Sequence, residues 1–125
     1  MPKYESIVES RPQRRKLSIR FPGKLYADEN YPFNRAGADP VYFRIVHGNE
    51  SALDVYKLAM FGTGAAVALE DMLLLAGEVL PFANQYTRSA VLRIPESGYI
   101  PFKPGDRVSM SVIELDKGLR IEKIR

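Results

Sequence analysis

The sequence contains no cysteine and only one histidine. Without cysteine the chain has no disulfide, no thiolate nucleophile and no Cys-ligated zinc or iron–sulfur centre. His47 has no second histidine to join it as a metal ligand, and the acidic residues show no ligand spacing. We therefore expect no metal and no cofactor, and we interpret His47-Gly48-Asn49 as a hairpin turn.

The sequence also lacks a long uninterrupted hydrophobic run. Its most apolar stretch, residues 62–82, is interrupted by Glu70, Asp71 and Glu78, which a membrane-spanning helix would bury at a cost of several kcal/mol. The first sixteen residues carry basic side chains without an apolar core, unlike a secretory signal. We expect a cytoplasmic protein with no membrane partner.

No arrangement of residues in the sequence is typical of catalysis. The acid pairs Asp28/Glu29 and Glu70/Asp71 are adjacent in sequence, so their side chains diverge on a strand or a helix. The segment Gly62-Thr-Gly64 satisfies neither the dinucleotide fingerprint nor the P-loop pattern. We predict that the protein is not an enzyme, although a barrel can gather side chains whose sequence spacing conceals them.

The positive charge of the chain is concentrated near its N-terminus. The net charge is +3, yet six basic residues and no acidic one lie between residues 11 and 24. They are Arg11, Arg14, Arg15, Lys16, Arg20 and Lys24. We interpret residues 1–16 as a basic, partly flexible N-terminal arm and residues 17–125 as a single domain.

One pattern occurs twice in the chain. Each copy has three short alternating strands, a proline after the first strand, a Pro-Phe pair and a turn containing glycine and aspartate. The matched segments are 17–22 with 90–95, 31–33 with 100–102, 41–45 with 108–112, and 53–58 with 119–124. Gly48 and Gly118 are expected in the last connecting turns. We interpret the repeat as an internal duplication.

The segment between the copies favours a helix because it is rich in Ala, Leu, Met and Glu. We predict a helix over residues 63–80, with Thr63 at its start and Pro81 at its end. The predicted fold is mainly β with one central helix. It is a small pseudo-two-fold barrel of two β-β-β halves, residues 17–58 and 89–124, joined by an α-helix.

The second copy resembles a known family. Val91-Leu-Arg-Ile-Pro95, Phe102-Lys-Pro-Gly-Asp-Arg-Val108 and Gly118-Leu-Arg-Ile-Glu-Lys-Ile124 are similar to the AbrB/MazE swapped-hairpin barrel family. The resemblance implies paired half-barrels that present basic residues to nucleic acid, here within one chain, with Arg20 and Arg93 at matching positions. The segment from Pro95 to Gly105 departs from the family because it is too short for the family's short helix.

Cations and rings alternate along the first copy. Alternation points Lys16, Ser18, Arg20, Tyr42 and Arg44 outward, a combination that binds phosphates and stacks on bases. The same rings admit a packing interpretation, in which Tyr31 and Phe33 plug the end of the barrel. The predicted nucleic-acid-binding residues are Arg14, Arg15, Lys16, Arg20, Lys24, Tyr26, Tyr31, Arg35, Tyr42, Arg44 and Arg93.

Two functions follow from these patterns. The first is a nucleic-acid-binding protein without catalysis, acting on DNA or RNA and preferring single strands because of the outward rings. The second is a structural or assembly protein, such as a viral shell or scaffold subunit, that oligomerises through the apolar helix. In either case we expect a homo-oligomer.

Overall fold

The computed structural model describes residues 2–11, 15–60, 72–83, 88–95, 100–113 and 118–124. Within these ranges the chain is mainly β, with one short helix, α1 (Gly23–Tyr26), and a 3₁₀ turn at Leu58–Met60. The strands are β1 (Tyr4–Arg11), β2 (Lys16–Phe21), β3 (Asp39–Ile45), β4 (Ala52–Lys57), β5 (Met72–Ala83), β6 (Arg88–Pro95), β7 (Arg107–Ile113) and β8 (Gly118–Lys123). None of the described residues belongs to a helix long and apolar enough to cross a membrane.

The strands form one closed antiparallel barrel. Their order around the barrel is β1-β2-β6-β5-β3-β4-β8-β7, and β7 pairs with β1 to close it. Closure gives each of these eight strands two neighbouring strands. Strands from the beginning and the end of the chain therefore meet directly, at the β2–β6 and β4–β8 ladders.

Alternating side chains fill the barrel interior. Leu17, Ile19 and Phe21 of β2 are buried together with Leu92 and Ile94 of β6, as the period-2 pattern predicts. The strands predicted at 17–22, 41–45, 53–58, 90–95, 108–112 and 119–124 are confirmed within one or two residues at their ends. Ile45 lies at the end of β3 and is 41% exposed, although alternation from the buried Val41 and Phe43 would point it inward.

The helix predicted over residues 63–80 is wrong from residue 72 onward. Strand β5 occupies Met72–Ala83 and pairs with β3 and β6, and Val79 is fully buried in the core. A continuous apolar run cannot be assigned to a helix or a strand by periodicity alone, and ladder pairing outweighed the helix propensity of Leu and Met. Residues 63–71 lie outside the described residues.

The N-terminal segment also differs from the expected basic arm. Residues Tyr4–Arg11 form β1, and Lys16 already belongs to β2. The first half of β1 pairs with β7 and the second half pairs with β2. The sequence of β1 has a weak apolar pattern, in which Val8 is buried, so the strand depends on its pairing with two neighbours.

Aromatic and aliphatic side chains close the ends of the barrel. Tyr31 and Phe33 are buried against Phe21, with ring centroids 6.2 and 6.0 Å from it. Ile100 and Phe102 are likewise buried in the core. The packing interpretation of Tyr31 and Phe33 is therefore confirmed.

Glycines act at two kinds of position in the barrel. Gly48 lies in the predicted hairpin turn after His47 and has a φ of 81°, a conformation that side chains rarely adopt. Gly118 was expected in a turn, but it begins β8 and is buried. A Cβ at residue 118 would lie 2.7 Å from Cδ1 of Tyr56 and 2.7 Å from the carbonyl oxygen of Val55. Gly118 therefore allows a close approach between β4 and β8.

Candidate nucleic-acid interface

The outer face of β2 and β6 brings three of the predicted basic residues together. Lys16 and Arg20 point outward from β2, and Arg93 points outward from β6. Arg20 pairs with Val91 and Ser18 pairs with Arg93, so the two arginines are diagonal neighbours across the ladder. Diagonal neighbours lie roughly 7–8 Å apart, within reach of long side chains. We call the outer face formed by Lys16, Arg20 and Arg93 the basic wall.

The two arginines of the basic wall have different surroundings. Arg20 is exposed, whereas Arg93 has 26% of its side chain exposed and lies 3.8 Å from a carboxylate oxygen of Glu78. That distance exceeds a hydrogen bond, and Glu78 is itself 37% exposed. An ion pair of this kind contributes little to stability.

The turn between β1 and β2 continues the basic wall toward one end of the barrel. Arg15 is exposed and has a φ of 50°, a left-handed conformation that is uncommon outside glycine. Lys16 follows it as the first residue of β2 and is half-buried. Arg14 lies outside the described residues.

The loop after β2 gathers a second group of predicted residues at the opposite end of the barrel. The Arg35 guanidinium lies 5.0 Å from the Tyr31 ring centroid and donates hydrogen bonds to the carbonyl oxygens of Tyr26 (2.9 Å) and Asp28 (2.6 Å). Tyr26 donates its hydroxyl to the Arg35 carbonyl at 2.9 Å. Lys24 on α1 and Arg35 are exposed, whereas Tyr26 and Tyr31 are buried. The loop contacts serve to hold the loop against the barrel end.

Burial also changes the chemistry of this loop. The Tyr31 hydroxyl is buried and has no hydrogen-bond partner, and this burial raises the pKa of Tyr31. Tyr4 donates to Oδ2 of Asp28 at 2.7 Å, and that hydrogen bond raises the pKa of Tyr4 and lowers that of Asp28. The backbone N–H of Asn30 supports the same carboxylate at 2.9 Å. These contacts fix the loop in place and offer no ring to a base.

The remaining predicted residues lie on a different side of the barrel. The Tyr42 ring stacks on Tyr56 at 5.5 Å, and the Arg44 guanidinium lies 5.6 Å from the Tyr56 ring centroid. Nε of Arg44 is buried and makes no hydrogen bond. Sequence reasoning did not find the neighbouring pair, in which Arg120 donates from Nε and Nη2 to Asp54 at 2.8 and 3.0 Å. We call the outer face formed by these five residues the sealed wall.

The pairing of β4 with β8 brings Asp54 and Arg120 together, and the repeated sequence pattern contained a signal for this pair. The two residues are direct partners in the β4–β8 ladder, and the hydrogen bonds to Asp54 raise the pKa of Arg120. They also occupy matching positions in the two copies, 53–58 and 119–124. Opposite charges at matching positions of the repeated pattern were the available signal, because the strands that contain them, β4 and β8, pair with each other.

The prediction that tyrosines face outward as stacking platforms is wrong. Tyr26, Tyr31 and Tyr42 are each 6% exposed or less. Strand alternation does point Tyr42 away from the barrel interior, but its stacking on Tyr56 removes it from solvent. The loop folds Tyr26 and Tyr31 into the core cluster. The predicted residues therefore divide into the basic wall with its turn, the loop at the barrel end and the sealed wall.

Two aspartates hold the loops that lead into β3 and β7. Oδ2 of Asp39 accepts from the backbone N–H of Asn34 at 3.0 Å and lies 3.7 Å from Nζ of Lys57. Oδ2 of Asp106 accepts from the backbone N–H of Lys103 at 2.8 Å and lies 3.6 Å from Nζ of Lys123. We call these two arrangements the aspartate clamps. Within the described part of the chain, no three His, Asp or Glu side chains come together.

Comparisons of the chain with protein-family models, with curated proteins and with solved structures found no match.

Proposed function

We propose that the protein binds nucleic acid without catalysis, and that the basic wall and the adjoining Arg15 contact the phosphate backbone of a duplex. The observation that carries the proposal is the convergence of Lys16, Arg20 and Arg93 on one outer face of two paired strands. Guanidinium and ammonium groups bind phosphates and release counterions, which supplies most of the non-specific affinity for nucleic acid.

Burial of the tyrosines favours a duplex over a single strand. Proteins that bind single strands without sequence preference combine a basic groove with exposed aromatic rings. Tyr26, Tyr31 and Tyr42 are buried, so the proposed surface retains the cations without the stacking platforms. A backbone contact that needs no unstacked base fits a duplex better.

We further propose that the barrel consists of two duplicated halves, β1–β4 and β5–β8. Exchanging β1 with β5, β2 with β6, β3 with β7 and β4 with β8 leaves the set of paired strands unchanged. An eight-stranded barrel without internal symmetry would not in general keep the same strand pairs after this exchange. The condition supports the pseudo-two-fold arrangement that the repeated pattern predicts.

The pairing registers support the same proposal. In β3–β4 Val41 pairs with Lys57, and in β7–β8 the corresponding Val108 pairs with Lys123. In β1–β7 Ser6 pairs with Val108, and in β5–β3 Gly77 pairs with Val41. The register of β3–β5 shifts between Val41 and Phe43, so the correspondence holds up to that irregularity.

The aspartate clamps provide support at the level of side chains. In each half an aspartate accepts a hydrogen bond from a backbone N–H in the preceding loop and lies 3.6 or 3.7 Å from the ammonium group of the matching lysine. Period-2 patterning explains matched apolar residues in any two strands, but it does not explain matched polar contacts. Common descent of the halves explains both.

The strand exchange agrees with the swapped-hairpin resemblance. The hairpin β1–β2 pairs with β7 of the other half, and β5–β6 pairs with β3 of the first. Helix α1 lies between β2 and β3, where the AbrB/MazE resemblance implies a short helix. We propose that the chain is a fused, single-chain form of such a barrel.

Fluorescence anisotropy with a labelled duplex and a labelled single strand, at low, intermediate and high salt, tests the proposed function. We expect tighter binding to the duplex and a log–log salt slope of about −3 to −4, since roughly four phosphates are neutralised. Substituting Arg15→Ala and Lys16→Ala together is expected to make the slope less steep by about 2. Deletion of residues 1–16 is unsuitable as a test, because it removes strand β1.

The matched control is Lys3→Ala, which removes an exposed charge just before β1, far from the turn between β1 and β2. We expect this variant to bind like the wild type. Binding that is independent of salt, or equal losses in the control and the double variant, would contradict the proposal.

A further inference from the structure

The outer face of β1 contains a groove that shares only Arg20 with the proposed nucleic-acid contact. Its volume is about 470 Å³, and it is lined by Glu5, Ser6, Ile7, Glu9, Arg20 and Arg107. Ile7 lies at its centre and is 54% exposed. This groove combines an exposed apolar side chain with charges of both signs.

The charges around Ile7 form a cross. Glu5 and Glu9 lie before and after Ile7 along the outer face of β1. Arg107 is the ladder partner of Ile7 on β7, and Arg20 lies on the other side in β2. The Ser6 hydroxyl donates a hydrogen bond to the Arg20 carbonyl oxygen at 2.6 Å, which holds β2 against β1 at this point. The two acidic residues therefore follow one another along β1, and the two arginines lie on the strands at either side of it.

The barrel itself does not require an isoleucine at this position. Strand β5 pairs with β3 in its first part and with β6 in its last part, just as β1 pairs first with β7 and then with β2. The residue of β5 that corresponds to Ile7 of β1 is Glu78. Glu78 points outward and lies beside Arg93. A charged side chain is therefore compatible with the position, so the barrel does not itself require an apolar residue there.

We propose that the outer face of β1 binds a second copy of this chain in a two-fold symmetric contact. Two such faces whose β1 strands cross near a right angle place Ile7 against Ile7 of the second copy. The same rotation places each pair of carboxylates over the guanidinium pair of the other copy. Near-perpendicular packing is one of the two preferred arrangements of facing sheets, and a two-fold contact requires a self-complementary surface.

Charge complementarity selects a second copy as the occupant. The face has two acidic and two basic residues around an apolar centre. When two such faces meet with their β1 strands crossed at a right angle, the acidic residues of each copy face the basic residues of the other. The pair between Arg107 and Glu5 measures 3.1 Å, but its side chains are 60% and 62% exposed. Such an exposed pair is worth little, so exchanging it for pairs between copies costs little. The patch is small, and the dimer is expected to be weak and dependent on concentration.

Sedimentation analysis over a wide range of protein concentration tests the proposal. We expect a monomer–dimer equilibrium in the wild type, and at least about a tenfold weaker dimer in Ile7→Glu. The matched control is Ile45→Glu, because Ile45 is a second exposed isoleucine at 41% and lies on β3. The control is expected to dimerise like the wild type. A monomeric wild type, or an Ile7→Glu dimer of unchanged affinity, overturns the proposal.

A charge-reversal experiment tests the arrangement of the contact. One variant carries Glu5→Lys and Glu9→Lys, and the other carries Arg20→Glu and Arg107→Glu. Each variant alone is expected to be monomeric, since like charges then face each other, while the mixture forms a heterodimer. Unchanged circular dichroism shows that both variants are folded. A mixture that remains monomeric, or a variant that dimerises alone, overturns the crossed arrangement.

Discussion

The barrel has two ladders at which early and late strands of the chain meet, β2–β6 and β4–β8, and their outer faces differ. On the basic wall Arg20 is exposed and Arg93 pairs only loosely with Glu78. On the sealed wall Tyr42 and Tyr56 stack, and Asp54 accepts two hydrogen bonds from Arg120. Both ladders are antiparallel, so the difference lies in the outward-facing side chains and not in the way the strands pair.

The contrast separates the sealed wall, whose contacts stabilise the fold, from the basic wall, which we propose binds nucleic acid. Buried, hydrogen-bonded groups are costly to disturb, so substitutions on the sealed wall are expected to destabilise the fold. Exposed charges contribute little to folding, so substitutions on the basic wall are expected to leave the fold intact. Substitutions on the sealed wall should therefore lower stability and leave nucleic-acid binding unchanged, whereas substitutions on the basic wall should do the reverse.

The largest expected effect comes from filling the space beside Tyr56. Gly118→Ala places a Cβ 2.7 Å from the Val55 carbonyl oxygen, which forces backbone to move. We expect a loss of about 2 kcal/mol in the free energy of unfolding, although an unhindered Gly→Ala substitution usually stabilises. Urea denaturation measures the change.

Gly37→Ala is the control for this substitution. The nearest atom to its added Cβ is Nδ2 of Asn34 at 3.7 Å, an ordinary contact distance. We expect an unchanged or slightly higher stability. A Gly118→Ala protein as stable as this control would mean that the sealed wall is not closely packed.

A smaller loss is expected from breaking the ion pair of the sealed wall. Arg120→Ala leaves Asp54, whose side chain is 10% exposed, without its two donors. Because the Arg120 side chain is 42% exposed, solvent offsets part of the loss, and we expect about 1–2 kcal/mol. Denaturation at low protein concentration measures it beside Arg107→Ala, whose exposed ion pair should cost less than about 0.5 kcal/mol. Equal losses in the two variants would refute the distinction.

Tyr31 tests how a buried polar group affects stability inside the barrel. It is buried like Tyr42 of the sealed wall, but its hydroxyl has no hydrogen-bond partner. Tyr31→Phe removes an unsatisfied polar group, so we expect a gain of about 1 kcal/mol at neutral pH. Burial raises the pKa of Tyr31, so its contribution to stability is complete below pH about 10 and is lost as pH rises through the folded pKa. The phenylalanine variant should lose less stability above pH about 10 than the wild type. An identical alkaline decline in both proteins would contradict this assignment.

The smallest expected change in stability is on the basic wall. Replacing Arg20 and Arg93 together by alanine is expected to change the free energy of unfolding by less than about 0.5 kcal/mol. Arg20 is exposed, and Arg93 makes only a loose pair with Glu78. The same denaturation measurements test this expectation, and a loss as large as that of Arg120→Ala would remove the contrast between the walls.

Much of the barrel follows from alternation in the sequence. Strands β2, β3, β4, β6, β7 and β8 were predicted because apolar residues in them recur with period 2. Strand β1 was missed because only Ile7 and Val8 are apolar at its centre. Strand β5 was mistaken for a helix because its apolar run, Met72–Ala83, has no period to distinguish the two.

The candidate site was only partly predictable. The outward direction of Arg20 and Arg93 follows from alternation, and the structure adds that β2 pairs with β6. The burial of Tyr42 and Tyr31 depends on neighbours distant in sequence, Tyr56 and Phe21, which no local pattern reveals. The separation of Arg20 from Arg44 depends on the order of strands around the barrel, which no local sequence pattern reveals.

The most direct test of the proposed function compares duplex affinity after substitution on each wall. Replacing Arg20 and Arg93 together by alanine is expected to weaken duplex binding at least about tenfold and to make the salt slope less steep by about 2. Arg44→Ala on the sealed wall, which removes one predicted binding residue, is expected to bind like the wild type. Unchanged affinity in the first variant, or a larger loss in the second, would contradict a nucleic-acid contact on the basic wall.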